Sequence, residues 1–179
     1  MKPDIGGFPS VERPAVTVVP YREEFRAAFE QLNRDWIEMY FVLEDPDREV
    51  FRDPQAKILA AGGQIFFVLE DGEVQGTCAV IRHAAGECEI AKMAVAPGAR
   101  GRGFGDRLMD AAIDFASTAG ARKVVIVSNT VLEPAIRLYQ KHGFARVPLA
   151  DDERYRRADI RLELELPPME PAEPRGSVG

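Results

Sequence analysis

The sequence predicts an α/β domain built on a mixed sheet with helices on both faces. Three observations carry this expectation. Asp71-Gly72 stands between two strand-like runs and is a strong two-residue hairpin signal. Val124 to Val127 is wholly apolar, as a strand buried on both faces requires. Around these runs lie stretches of helical periodicity, in a chain of 179 residues that can support one domain with its own core.

Taken in order, residues 1–13 are rich in Gly and Pro and read as lacking fixed structure, as does the tail at 167–179 (PPMEPAEPRGSVG). The domain is therefore placed at 14–166. Ala15 to Val19 is a short β-branched strand, and Tyr21, Phe25, Phe29, Leu32, Trp36 and Tyr40 mark one face of a helix. After the Asp45-Pro46 break a second helical piece covers roughly Asp47 to Ala61 and stops at Gly62-Gly63. Ile65 to Leu69 and Val74 to Arg82 form the hairpin. Gly86 then leads into the central strand at Glu89, the third antiparallel one, and Ile90 to Val95 stops abruptly at Pro97-Gly98. Phe104, Leu108, Ala111, Ala112, Phe115 and Ala119 recur at helical spacing up to a C-capping Gly120. The apolar strand follows, then a short helix from Pro134 to His142 closed by Gly143. In the last strand Ile160, Leu162, Leu164 and Leu166 alternate with Arg161, Glu163 and Glu165, so one face is wet.

Composition narrows the function. Hydrophobic residues make up 46% and charged residues 29%, ordinary values for a soluble globular protein. A formal net charge of −6 argues against a nucleic-acid partner and is compatible with a cationic amine. No apolar run reaches the roughly 18 residues of a membrane span, and MKPDIGGFPS lacks the apolar run of a signal peptide. The expectation is a cytoplasmic protein with no membrane partner. Cys78 and Cys88 are too few for a disulfide framework and read as buried thiols. His83 and His142 read as solitary, so no metal is expected.

The chemistry concentrates between Glu89 and Asp114. A strand end, a loop of Arg100, Gly101, Arg102, Gly103, Phe104 and Gly105, and a helix start follow one another. The first turn of a helix has N–H groups without intrahelical partners, and its dipole adds partial positive charge. Glycines let a phosphate approach those groups, and Arg100 and Arg102 add charge. The other reading is a tight turn with its arginines in solvent. The Walker A pattern is absent, because no Lys-Ser or Lys-Thr follows the glycines. The dinucleotide pattern is absent too, because the spacing is G-x-G-x-G.

R-x-x-G-x-G does fit, as Arg100, Gly103 and Gly105, and it resembles the acetyl-CoA loop of the GNAT acyltransferase superfamily. A second motif, A-I-x-L-Y-x-x-x-G-F, as Ala135, Ile136, Leu138, Tyr139, Gly143 and Phe144, resembles the C-terminal helix-turn of the same fold. The resemblance implies a mixed, mostly antiparallel sheet of about six to seven strands with helices on both faces. It implies acetyl-CoA as acyl donor and co-substrate, and a primary amine of a small molecule or peptide as acceptor, attacking directly in a ternary complex. The reading leaves room for a homodimer, for a non-catalytic CoA-binding or sensor domain, and for a transferase of another acyl-CoA.

The resemblance also assigns residues. The strand before the loop splays from its neighbour, and the backbone of Met93, Ala94 and Val95 pairs with the pantetheine amides. The loop N–H groups from Arg100 to Gly105 hold the pyrophosphate, and the Asn129 side chain touches CoA, although Asn129 stands three residues further from Ala135 than in the common pattern. Tyr139 is placed as the acid that protonates the departing thiolate; otherwise it is a core aromatic with a wet tip. Glu89 resembles the glutamate base of histone acetyltransferases, acting directly or through a water; otherwise it is a strand-edge carboxylate in solvent. Alternation puts Glu89 and Met93 on one face of their strand. The base that some ribosomal-protein acetyltransferases carry in the next strand has no counterpart in Val124 to Val127. Trp36, Glu38, Tyr40 and Glu44 lie in the region that walls the acceptor site in the family, and the two glutamates are expected to draw a cationic amine there; taken singly, each reads as part of a core stripe with solvated carboxylates. Tyr155 and Asp159 are further candidates for the acceptor side.

Overall fold

The computed structural model describes residues 14–149 and 155–168. Residues 1–13 and 169–179, which the sequence reads as lacking fixed structure, lie outside the described residues. The elements are β1 (Val16–Pro20), α1 (Arg26–Tyr40), α2 (Asp45–Arg52), β2 (Gln64–Glu70), β3 (Glu73–Arg82), β4 (Glu87–Val95), α3 (Phe104–Thr118), β5 (Lys123–Ser128), α4 (Glu133–Lys141), β6 (Ala145–Val147) and β7 (Ile160–Glu165). The strands form one seven-stranded sheet in the order β1-β2-β3-β4-β5-β7-β6. Every neighbouring pair is antiparallel except β4 and β5. This is the mixed, mostly antiparallel sheet the sequence predicts.

Each face of the sheet has its own core. On one, α3 buries Leu108, Met109, Ala112 and Ala116 against Val68, Val80, Ile90 and Val124, and α4 adds Ile136 and Tyr139. On the other, Phe29 and Ile37 of α1 and Phe51 of α2 pack on Ile65, Phe67 and Ala79. Fully burying each such large side chain contributes about 1.5–3 kcal/mol. Among the described residues no helix is long and apolar enough to cross a membrane.

Two helices differ from expectation for reasons of backbone chemistry. α1 begins at Arg26, after a 3₁₀ turn at Glu23–Phe25, so Tyr21 precedes the helix and packs its ring near Phe67. The second helical piece starts earlier, at Asp45, because Pro46 is tolerated in a first turn. It ends at Arg52 because Pro54 pushes Asp53 out of the helical region, and the chain resumes as a π-helical turn at Gln55–Leu59.

The feature that shapes the site is in β4. It pairs with β5 only over Glu87, Cys88 and Glu89, opposite Lys123, Val124 and Val125. Beyond that point β5 continues only against β7, and β4 leaves it. The register between β3 and β4 also shifts between Thr77 and Ala79, and Lys92 stands in the left-handed region at φ 50°. That is a β-bulge, and a non-glycine residue held so costs about 1–2 kcal/mol. The bulge overturns one expectation. Glu89, opposite Ile81, stays on the α1 face, whereas Met93 turns to pack with the α3 core.

Candidate active site

A groove opens where β4 and β5 part, with a cavity of about 370 Å³ bounded by Met93, Ala94 and Val95, the glycine loop, and Ala135 and Leu138 of α4. Gly101 and Gly103 have φ of 74° and 79°, values that L side chains rarely adopt. Gly103 immediately precedes α3, so the helix N-terminus opens beside it, and a Cβ at Gly103 would meet nothing within 4 Å. Gly105 serves a different end. A Cβ there would stand 3.1 Å from Leu138 Cδ2, so its absence lets α3 and α4 close on each other beneath the loop. Phe104 is buried in the core and also lines the groove.

Several assignments change on contact with the structure. Arg102 does not line the groove. Both its terminal nitrogens donate to the Glu70 carboxylate, and its guanidinium lies over the Phe104 ring at 5.0 Å. Its charge is already balanced, and Arg100 is the loop arginine at the groove. Arg100 Nε donates to the Val95 carbonyl at 3.2 Å, so that carbonyl has a partner within the chain. Asn129 lines the neighbouring cavity instead of the groove. Its amide nitrogen donates to the Arg157 carbonyl and its oxygen accepts from the Val131 N–H at 2.9 Å, which fixes the turn after β5.

That neighbouring cavity, about 90 Å³, lies on the α1 side between Ile37, Glu89, Lys92, Asn129, Tyr155 and Arg157. Trp36, Met93 and Tyr139 line both spaces, so these three side chains form the wall where groove and cavity meet. Tyr139 is 8% exposed. Burial pushes its phenol well above the usual tyrosine range; the buried Cys78 thiol adds to this, and a hydrogen bond with Ser128 opposes it. The phenol therefore stays protonated at neutral pH. It is a core residue whose protonated hydroxyl stands at the junction.

Glu89 is 3% exposed, which sets aside the picture of a solvent-facing edge carboxylate. Its Oε2 lies 2.7 Å from His83 Nε2. His83 thus has a carboxylate neighbour, and so does His142, whose Nε2 stands 3.0 Å from Asp106 and whose Nδ1 stands 3.4 Å from Asp110. Cys78 and Cys88 are buried free thiols, as expected, and burial pushes the Cys78 thiol up to about 12, far from any nucleophilic role. Among the described residues no group of three or more His, Cys, Asp or Glu is placed to hold a metal ion.

The sequence reading missed the charged floor of the cavity. Asp47, fully buried, receives Lys92 Nζ at 2.6 Å and the two terminal nitrogens of Arg157 at 2.7 and 2.9 Å. Lys92 Nζ also donates to the Tyr155 hydroxyl at 2.8 Å. Burial alone would raise the Asp47 carboxyl, but the Arg157 hydrogen bond and the Lys92 charge overcome it and hold it at about 2. Glu44 accepts from Arg157 and from two backbone N–H groups at 156 and 157, and it caps α2 reciprocally with Asp47. Its expected role of attracting a cation is therefore replaced by one of holding the 155–158 segment. Glu38 is exposed and lines neither space, Tyr40 is exposed beside Trp36, and Asp159 is spent on Thr130. A lone Lys inside the apolar run Ile90 to Val95 was the available signal, since a buried lysine demands an acid partner.

The model of the acetyltransferase (GNAT) family matches residues 25–144. Streptothricin acetyltransferase of Streptomyces lavendulae is 41% identical over 76 residues, which are 42% of this chain and 40% of that protein. The uncharacterized N-acetyltransferase YjgM of Escherichia coli is 28% identical over 102 residues, 55% of this chain and 61% of that protein. The chain thus spans about half the length of the curated relatives it matches. Among solved structures, a GNAT-family acetyltransferase of Staphylococcus aureus superposes with a TM-score of 0.78 at 16% identity, covering 86% of this chain and 100% of that one. YncA of Salmonella typhimurium, solved with its cofactor acetyl-CoA, gives 0.66 at 20% identity, covering 86% and 95%. At these identities the superpositions speak for the fold.

Proposed function

Because the chain belongs to the acetyltransferase (GNAT) family, we propose that it transfers the acetyl group of acetyl-CoA to a primary amine of a small molecule or peptide, by direct attack in a ternary complex. The observation that carries this reading is Tyr139, a buried and protonated phenol in the wall shared by the groove and the cavity. Acetyl-CoA suits the groove on physical grounds. Its phosphates meet a helix N-terminus at an open glycine backbone, with Arg100 alongside. The edge of β4 beyond Glu89 is free of β5 for the amides of the pantetheine arm. When bound there, acetyl-CoA supplies an acetyl group activated as a thioester.

The chain's own residues do the rest. Glu89, on the cavity wall, takes a proton from the acceptor, since amines are mostly protonated at neutral pH and only the neutral form attacks. Tyr139 gives its proton to the departing sulfur. Trp36 and Met93, with Tyr139, restrict the opening through which the acceptor reaches the thioester. A purely CoA-binding module has no use for a buried acid at this junction, which favours the enzyme reading.

The test is release of free thiol from acetyl-CoA across a panel of amino acids, polyamines, aminoglycosides and peptides with free N-termini. Streptothricin is included because one relative is named for it. At least one amine should give thiol and N-acetylated product in equal amounts. Tight acetyl-CoA binding with no turnover on any amine would favour the binding module.

A further inference from the structure

We propose that His83 is the proton outlet of this site: it takes from Glu89 the proton removed from the acceptor and passes it to bulk water. The inference rests on the reading of Glu89 as the base. Its starting point is a balance of protons. Transfer of an acetyl group from a thioester to an ammonium yields an amide, a thiol and one proton in excess. The excess proton first breaks its N–H bond to form an O–H bond on Glu89. The second amine proton, lost as the C–N bond forms, restores Tyr139 after the phenol has protonated the sulfur.

Glu89 cannot readily hand its proton to bulk water by itself. Its side chain is 4% exposed, and it faces a cavity that the acceptor and the acetyl-CoA arm close during turnover. His83 is placed to do so. Its Nε2 is 2.7 Å from Glu89 Oε2, within proton-transfer reach, and a third of its side chain (33%) is exposed. The backbone fixes this arrangement. His83 N–H donates to the Glu87 carbonyl at 2.9 Å and extends the β3–β4 ladder, so that His83 and Glu89 are diagonal neighbours on one sheet face. Glu87, across the ladder, is engaged by Arg161 at 3.3 Å, and Arg161 in turn by Glu163 at 2.9 Å. Imidazole is the side chain that gains and loses a proton most readily near neutrality. The O–H bond on Glu89 breaks as an N–H bond forms at Nε2, a ring proton passes to water, and the ring regains its starting tautomer by exchange with that water.

The experiment compares kcat and KM of His83→Gln, His83→Ala and Glu89→Gln, using the panel amine with the highest thiol release. Glu89→Gln should lower kcat by about 10²–10⁴-fold, and both His83 variants by about tenfold or more with either KM little changed. Added imidazole should restore His83→Ala, whose side-chain site is vacated at an accessible position, and leave His83→Gln slow. If His83→Ala does not fold, the kcat loss without a KM change in His83→Gln decides. Wild-type kcat in His83→Gln beside an impaired Glu89→Gln overturns the outlet alone. Unchanged kcat in Glu89→Gln overturns the base reading itself. Loss in both His83 variants with no recovery in imidazole assigns His83 a structural role and also overturns the proposal.

Discussion

Tyr139→Phe should lower turnover by about 10²–10⁴-fold and leave the affinity for acetyl-CoA unchanged. The substitution removes one oxygen from a ring held by packing. Tyr139 lies in the α3-side core, with its ring centroid 6.5 Å from that of Phe144, and Phe keeps those contacts. The structural loss is confined to the hydrogen bond with Ser128, worth about 0.5–1.5 kcal/mol. The chemical loss is larger, because no other phenol lies in the wall shared by groove and cavity among the described residues. Burial raises the Tyr139 pKa, so the phenol keeps its proton across the neutral and mildly alkaline range. Activity should accordingly show no alkaline loss from this residue below about pH 10, the ordinary tyrosine value. Single-turnover thiol release and an acetyl-CoA titration on the same variant separate chemistry from binding. Turnover within about threefold of wild type would leave Tyr139 a core aromatic and nothing more.

Asp47→Ala should be the most destabilising single change in the site, costing about 3–5 kcal/mol, because it leaves the buried Lys92 without an anion and the half-buried Arg157 with Glu44 alone. For a domain of this size that is a fall in Tm of about 6–20 °C. The same substitution removes half of the α2 capping box and releases the left-handed Lys92 from its main restraint. Its pH signature follows from the depressed Asp47 pKa. A carboxyl held at about 2 in the folded state and near 4 when unfolded stabilises fully above pH 4, and loses this contribution as pH falls through 2. Urea unfolding at pH 7 and pH 3 should therefore show the gap between wild type and Asp47→Ala narrowing with acid. A gap that is constant, or below about 1 kcal/mol at pH 7, would mean the cluster is worth no more than a surface network. Because Lys92 and Arg157 line the cavity, the variant should also raise the KM for the amine more than that for acetyl-CoA.

How far the sequence could be read depended on whether a feature is local. The glycine loop, the Tyr139 helix and the apolar β5 strand are legible because their signals lie within about ten residues of one another. The splay of β4 from β5 was legible only through family resemblance. The bulge at Lys92 was not, since a register shift belongs to the pairing of two strands and leaves no mark in either alone. It reversed the face expected for Met93 relative to Glu89. Long-range polar pairings were lost for the same reason. Arg102 with Glu70, Lys92 with Asp47 and Arg157 with Glu44 join residues far apart in the chain; Lys92 alone is marked by its apolar neighbours, and nothing near it names Asp47 as the partner. His83 and Glu89 are only six residues apart, yet their contact depends on the tight β3–β4 connection bringing them diagonal.

Calorimetric titration of acetyl-CoA into wild type and Gly103→Asp tests most directly whether the groove between the parting strands is an acetyl-CoA site organised by the glycine loop. Asp tolerates a left-handed backbone better than most residues, and its Cβ would enter open space, so the variant should fold. Its carboxylate would then stand where the pyrophosphate approaches the start of α3. Wild type should bind acetyl-CoA saturably and gain Tm in its presence, and Gly103→Asp should do neither while keeping the ligand-free Tm within a few degrees. A folded Gly103→Asp that binds acetyl-CoA with wild-type affinity would contradict the assignment of the groove.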